Sequence, residues 1–178
     1  MRQRGAKSPP SLGNEDRREA SASRSAVDGS AAPPRPLRQV EGESCRLRAR
    51  AELMWRSDRA SRELGMQLEH VARGHAQLSL AVTDAMANGH GICHGGFIFA
   101  LADSAMAFAA NQRGDAEVAH HASITFLRPG RVGETLVAEA MERTRAGRSG
   151  IYDVRVSTTD GALVAEFRGH TRTLRAEK

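Results

Sequence analysis

An α+β domain, with one buried helix wrapped by an antiparallel sheet, is the fold class that this 178-residue chain predicts. Three observations lead there. Phe97 to Ala110 is a fourteen-residue run in which only Asp103 and Ser104 are polar. Short segments on either side alternate apolar with polar residues, the period of half-buried strands. Turn signals punctuate those segments at Arg73-Gly74, Arg128-Pro129-Gly130 and Asp160-Gly161.

Taken in order, residues 1–44 hold five of the six prolines and no aromatic residue. They mix Ser, Ala, Gly, Arg and Glu without period. Such a segment cannot bury enough apolar surface to offset its ordering entropy, so it is expected to be a disordered arm preceding a domain over residues 45–178. It has no apolar h-region, which excludes a secretory signal, and Glu15, Asp16, Glu19 and Asp28 argue against a transit peptide. The arm carries +2 of the net +5, leaving +3 on the domain. Basic and acidic residues interleave there, so no nucleic-acid partner is expected. Cys45 and Cys93 make neither a disulfide framework nor a CxxC metal spacing. With no membrane-spanning run either, a reduced, cytoplasmic protein is expected.

Arg46 to Leu64 is rich in arginine and glutamate, with Leu47, Leu53, Met54 and Leu64 as its apolar points, and Gly65 follows as a stop. This predicts a surface helix. Met66–Val71 and Ala76–Thr83 read as two strands around the Arg73-Gly74 turn. In the second, Leu78, Leu80 and Val82 alternate with small or polar residues. A loop over Asn88–Cys93 leads into the apolar helix. Val118–Leu127, Thr135–Thr144, Ile151–Thr158 and Ala162–Leu174 then read as four further strands.

The apolar helix organises the rest. Its fourteen residues span roughly 21 Å, too short to cross a bilayer. A helix apolar on all sides must be wrapped by other structure, here the sheet. Asp103 is the anomaly, because its helical neighbours are Phe99, Ala100, Met106 and Ala107. Burial would raise its pKa, which suits a base or nucleophile working near neutrality. A carboxylate hydrogen-bonded to backbone or to Ser104 for structural reasons is the other reading. Gly95 and Gly96 stand where the helix begins. Free N–H groups there, at the positive end of the macrodipole, can hold a carbonyl oxygen or a developing oxyanion. A tight turn into the helix would need glycines too. Gly95 and Asp103 lie eight residues apart, roughly 12 Å along the axis. One carbonyl group cannot touch both, so if both act on it they come from two copies of the chain.

The ordered motifs resemble the hotdog fold, and more narrowly the PaaI-type acyl-CoA thioesterases of phenylacetate degradation. The matching pieces are Asn88-Gly89-His90, Cys93-His94-Gly95-Gly96, Leu101-Ala102-Asp103 and Phe108. Further on they are Ile124 to Gly130, Gly150 to Asp153, and Phe167-Arg168-Gly169. The resemblance covers about residue 50 to the end. It implies that Asp103 attacks the thioester or activates water to do so. It implies that the Gly95 N–H polarises the carbonyl from the neighbouring subunit. Asn88, His94 and Gly96 are then expected at the substrate, and Ser104 is expected to orient water. It also implies an acyl-CoA substrate such as phenylacetyl-CoA or its ring-hydroxylated forms. The assembly would be a homodimer, commonly paired into a tetramer, with no metal and no cofactor beyond the coenzyme A of the substrate.

Other constellations carry less. Cys93-His94 suggests a cysteine nucleophile, but adjacent residues rarely place thiol and imidazole for proton transfer. His120-His121 suggests a metal, but strand neighbours point to opposite faces. Asp153 and Glu139 are expected to be solvated. Arg128, Arg131, Arg143, Arg145 and Arg148 could meet coenzyme A phosphates, and none is singled out. Two other functions stand beside hydrolysis. A hotdog hydratase or dehydratase would need a histidine paired with an acid, a motif not seen here. A non-catalytic acyl-CoA sensor would lack the acid and usually carry a DNA-binding helix-turn-helix.

Overall fold

The structure, a computed structural model, describes residues 37–174, with side chains from Cys45 onward. Two helices come first, α1 (Leu37–Ser57) and α2 (Arg59–Glu63). Strands β1 (Gln67–Ala72) and β2 (His75–Ala81) follow, then a 3₁₀ turn over Asp84–Met86. The long helix α3 (Gly95–Ala110) leads to β3 (Glu117–Phe126), β4 (Thr135–Ala146), β5 (Ser149–Thr158) and β6 (Leu163–Thr173). All six strands form one antiparallel sheet in the order β1-β2-β4-β5-β6-β3. This is the helix-in-sheet architecture expected from the sequence.

Two boundaries differ from expectation. The proposed arm boundary at residue 44 falls inside α1, which begins at Leu37; residues 1–36 lie outside the described residues. Gly42, Glu41 and Glu43 give residues 37–44 no apolar period. Farther along, Leu47, Ala51, Met54 and Trp55 form a stripe that turns inward, and the Trp55 ring lies 5.7 Å from that of Phe108. Once that stripe anchors a turn, helix propagates toward the N-terminus at little cost. The single helix expected over Arg46–Leu64 is two helices. Asp58 breaks it, because its Oδ1 accepts from the Ser61 N–H at 3.0 Å and so caps a new helix.

The core sits between α3 and the concave face of the sheet. Leu101, Ala102, Ala105, Met106, Phe108 and Ala109 are wholly buried against Leu78, Leu80, Leu136, Val154, Val156 and Phe167. Each large side chain taken out of water contributes about 1.5–3 kcal/mol. The alanines let α3 lie close to the strands. So does Gly169 on β6, where an added Cβ would stand 2.1 Å from Met106 Sδ.

The sheet leaves one face of α3 uncovered. Gly96, Ala100, Asp103, Ser104, Ala107 and Asn111 are all less than fully buried, at helical spacing. Helix α2 lies against part of this face, through Ser61. Among the described residues, β3 at the sheet's edge pairs only with β6. Val118, Phe126 and Leu127 are exposed there.

Candidate active site

The start of α3 is fixed by the loop before it. Cys93 N–H donates to Gly130 O at 2.9 Å, and His94 N–H to Met86 O at 2.8 Å. Asn88 N–H donates to Ile92 O at 2.8 Å, and its side-chain Oδ1 accepts from the His90 N–H at 2.9 Å. His94 is the N-cap, with Nδ1 accepting from the Gly96 N–H at 2.9 Å. The next donor, Phe97 N–H, goes to His94 O at 3.0 Å. Only Gly95 N–H, of these three, has no acceptor among the described residues.

The two glycines at this helix start differ in their hydrogen bonding. Gly96 has its N–H occupied by His94, so it is not the open donor that both were expected to be. Gly95 keeps its N–H open at the positive end of a sixteen-residue helix. An added Cβ at Gly95 would stand 2.9 Å from Phe126 Cζ, so that exposed ring would have to shift. Beside it is a cavity of about 410 Å³, lined by Asn88, Cys93, Gly95, Ile98, Phe126 and Arg128 among others. Phe126 was expected only as a strand residue. Its 49 % exposure and its place over Gly95 come from the chain path at the end of β3.

Asp103 lies two turns on, on the uncovered face, and does not line that cavity. It makes no hydrogen bond or ion pair among the described residues, and Ser104 is not its partner. The structural reading of this carboxylate therefore fails. Burial with nothing to offset it pushes the Asp103 carboxyl above the usual carboxylate range. Ser104 is already engaged, with its Oγ 2.9 Å from Ser61 Oγ, which in turn donates to Asp58 Oδ2 at 2.6 Å. Asp58 is a residue type favoured at N-caps, and it caps α2 through Ser61.

The remaining candidates resolve differently. Cys93 is buried, and burial pushes its thiol up, away from the thiolate a nucleophile needs. The argument that His120 and His121 face opposite ways fails. A register shift between Ala119 and His121 brings both rings to His170, at 6.1 and 5.2 Å. Among the described residues, no group of three or more His, Cys, Asp or Glu is placed to hold a metal ion. Asp153 is paired with Arg143 and Arg168 rather than free in solvent, and the Arg168 hydrogen bond holds its carboxyl low. Glu139 is bonded to His75 and Gln77, and both bonds lower its pKa. Of the five arginines considered for phosphates, Arg128, Arg143, Arg145 and Arg148 already have protein partners. Arg131, next to the cavity, has no hydrogen bond or ion pair from its guanidinium among the described residues.

Known proteins with this arrangement are informative. The family model described as the thioesterase superfamily matches residues 90–165. Acyl-coenzyme A thioesterase PaaI of Escherichia coli K12 is 40% identical over 124 residues, covering 70% of this chain and 89% of that protein. The solved structure of the E. coli PaaI protein superposes with a TM-score of 0.73 at 38% identity, covering 75% of this chain and 96% of that one. A Streptococcus mutans UA159 protein solved with acetyl-CoA bound is similar at 25% identity and a TM-score of 0.60, covering 64% and 91%. No helix among the described residues is long and apolar enough to cross a membrane.

Proposed function

Because this chain belongs to the PaaI-type hotdog acyl-coenzyme A thioesterases of the thioesterase superfamily, we propose that it hydrolyses phenylacetyl-CoA, its ring-hydroxylated forms, or related aryl and medium-chain acyl-CoA thioesters, giving free acid and coenzyme A. The observation that carries this reading is Asp103: a carboxylate with no partner among the described residues, raised in pKa by burial, on the uncovered face of α3. The E. coli relative supports the substrate class, and the largely apolar cavity beside Gly95 suits an uncharged acyl chain.

As the carbonyl becomes tetrahedral its oxygen gains charge, and the Gly95 N–H receives it. One such donor contributes about 10²–10³ in rate at comparable sites. Asp103 either adds to the carbonyl or takes a proton from water. Asn88 and His94 shape the mouth around Gly95. Substrate brings the only coenzyme, and no metal takes part.

The rise of roughly 12 Å between Gly95 and Asp103 requires two protomers per site. A homodimer, with further pairing to a tetramer, supplies them. The free edge of β3, with Val118, Phe126 and Leu127 exposed, suits such pairing, since an open strand edge is a template for a second chain. Two unpaired cysteines suit a reduced cytoplasm.

Thiol release measured over a panel of acyl-CoAs tests the activity. Turnover is expected on arylacetyl thioesters, with loss of about two orders of magnitude in Asp103→Asn and Asp103→Ala. A wild type that binds acyl-CoA without releasing thiol would be a sensor instead. Mixing Asp103→Ala protein with a Gly95→Val variant tests the sharing. Verified heterodimers should regain activity, and no recovery would confine the site to one chain.

A further inference from the structure

Ser104, the residue after Asp103 on α3, ends a chain of hydrogen bonds whose direction is fixed. Asp58 Oδ1 accepts from the Ser61 N–H at 3.0 Å, and Oδ2 from Ser61 Oγ at 2.6 Å. A carboxylate only accepts, so the one hydroxyl proton of Ser61 goes to Asp58. Ser61 Oγ can then meet Ser104 Oγ, 2.9 Å away, only as an acceptor. Ser104 must donate to it. With its proton committed, Ser104 Oγ offers nothing but lone pairs to anything on the open side. Ser61 is 2% exposed, so water does not compete for this chain. Ser104 is half-exposed and follows Asp103 directly on the uncovered face of α3.

We propose that Asp58 and Ser61 are positioning residues that lock Ser104 Oγ as the acceptor for the hydrolytic water, so that Asp103 acts as a general base rather than a nucleophile. This rests on the hydrolase reading above. Water held between the two side chains gives one O–H to Ser104 Oγ and the other to the Asp103 carboxylate. Its free lone pair then faces the thioester. Asp103 takes a proton as the new C–O bond forms, and the carbonyl oxygen becomes an oxyanion on the Gly95 N–H of a second copy. When the intermediate collapses, the C–S bond breaks and the thiolate recovers the proton from Asp103. Water and thioester become acid and thiol, with nothing oxidised or reduced. A Ser104 free to rotate would instead donate to the water oxygen and occupy the lone pair needed for attack.

Asp58→Asn reverses the chain while keeping every heavy atom. Asparagine caps a helix as well as aspartate does. Its Oδ1 stays on the Ser61 N–H, and its Nδ2 donates to Ser61 Oγ. The Ser61 proton then turns to Ser104, and the Ser104 proton turns outward. In thiol-release assays kcat is expected to fall about tenfold, the scale of one hydrogen bond, with KM and melting temperature held. In a Ser104→Ala background the same substitution should leave kcat unchanged. Ser61→Ala, which removes the acceptor, should behave likewise in both backgrounds. An Asp58→Asn enzyme at wild-type kcat, or one losing as much in the Ser104→Ala background, overturns the relay alone. A wild type without turnover on any thioester overturns the hydrolase reading and the relay with it.

Discussion

The last turn of α3 is tied down by several side chains, while its first turn, capped by His94, leaves one backbone donor open. At the C-terminal end Asn111 Nδ2 donates to Ala107 O and Glu117 O, at 2.9 and 3.0 Å, and its Oδ1 accepts from the Glu117 N–H at 2.9 Å. Gln112 Nε2 donates to Phe108 O, and Arg50 to Gln112 O. Beyond them the Glu117 carboxylate, its side chain 1% exposed, pairs with Arg145 and accepts from Thr171 Oγ1. Tyr152 donates to Glu142 at 2.9 Å, and burial pushes its hydroxyl up to about 12. At the N-terminal end, among the described residues, the Gly95 N–H has no acceptor, and two turns on Asp103 has no donor. Most polar groups at the first of these ends are consumed in holding the fold, although the buried Gln112 Oε1 has no hydrogen-bond partner among the described residues. Those at the other are left for a ligand, and a fold pays for such groups in stability.

The sharpest way to break that contrast is to exchange the expected effects of the two ends. Glu117→Ala removes one partner of a buried ion pair and should cost about 3 kcal/mol or more in chemical denaturation. Turnover per folded molecule should hold. Asp103→Asn should do the reverse, with turnover down about a hundredfold, some 2.7 kcal/mol of barrier, and melting temperature unchanged or higher. A Glu117 variant that is stable but inactive would show that the closed end also reaches the chemistry.

Gly95→Ala should lower kcat/KM by roughly tenfold to a hundredfold, because the new Cβ drives Phe126 off the helix start. Phe126→Leu in the same chain should recover part of the loss. No recovery would place the damage in the backbone and not in the ring.

The smallest effect concerns pH. A carboxyl whose folded pKa is raised must lose its proton before it can act as base, so the acid limb of kcat/KM should lie above the ordinary carboxylate range. It should vanish from the residual activity of Asp103→Asn. For stability the sign is opposite. Between the unfolded and the raised folded pKa the folded chain binds more protons. The contribution of Asp103 is therefore present in acid and lost as pH rises through its folded pKa. Melting curves of wild type and Asp103→Asn should converge in acid and part toward neutrality.

Much of this was legible in the residues. The apolar run over 97–110 and the alternation of Leu78, Leu80 and Val82 located the helix and a wrapping strand. Asp103 stood out because its neighbours are apolar. Gly95 and Gly96 marked the helix start and only the resemblance gave them different roles, because the His94 side chain that occupies the Gly96 N–H is placed by the fold. The break at Asp58 and the paired states of Asp153 and Glu139 were missed, since each depends on a partner brought in by folding. His120 and His121 were misjudged because a bulge suspends the two-residue period on which that argument stood.

By itself the sequence determined periodicity, and with it which segments are helix or strand and which carboxylate would be stranded among apolar side chains. Local spacing controls those properties, and local spacing is printed in the chain. Only the tertiary structure decided which face of α3 stays uncovered, which N–H is left open, and that Ser61 stands behind Ser104. Contacts between segments dozens of residues apart settle those matters, and no window along the chain contains both partners.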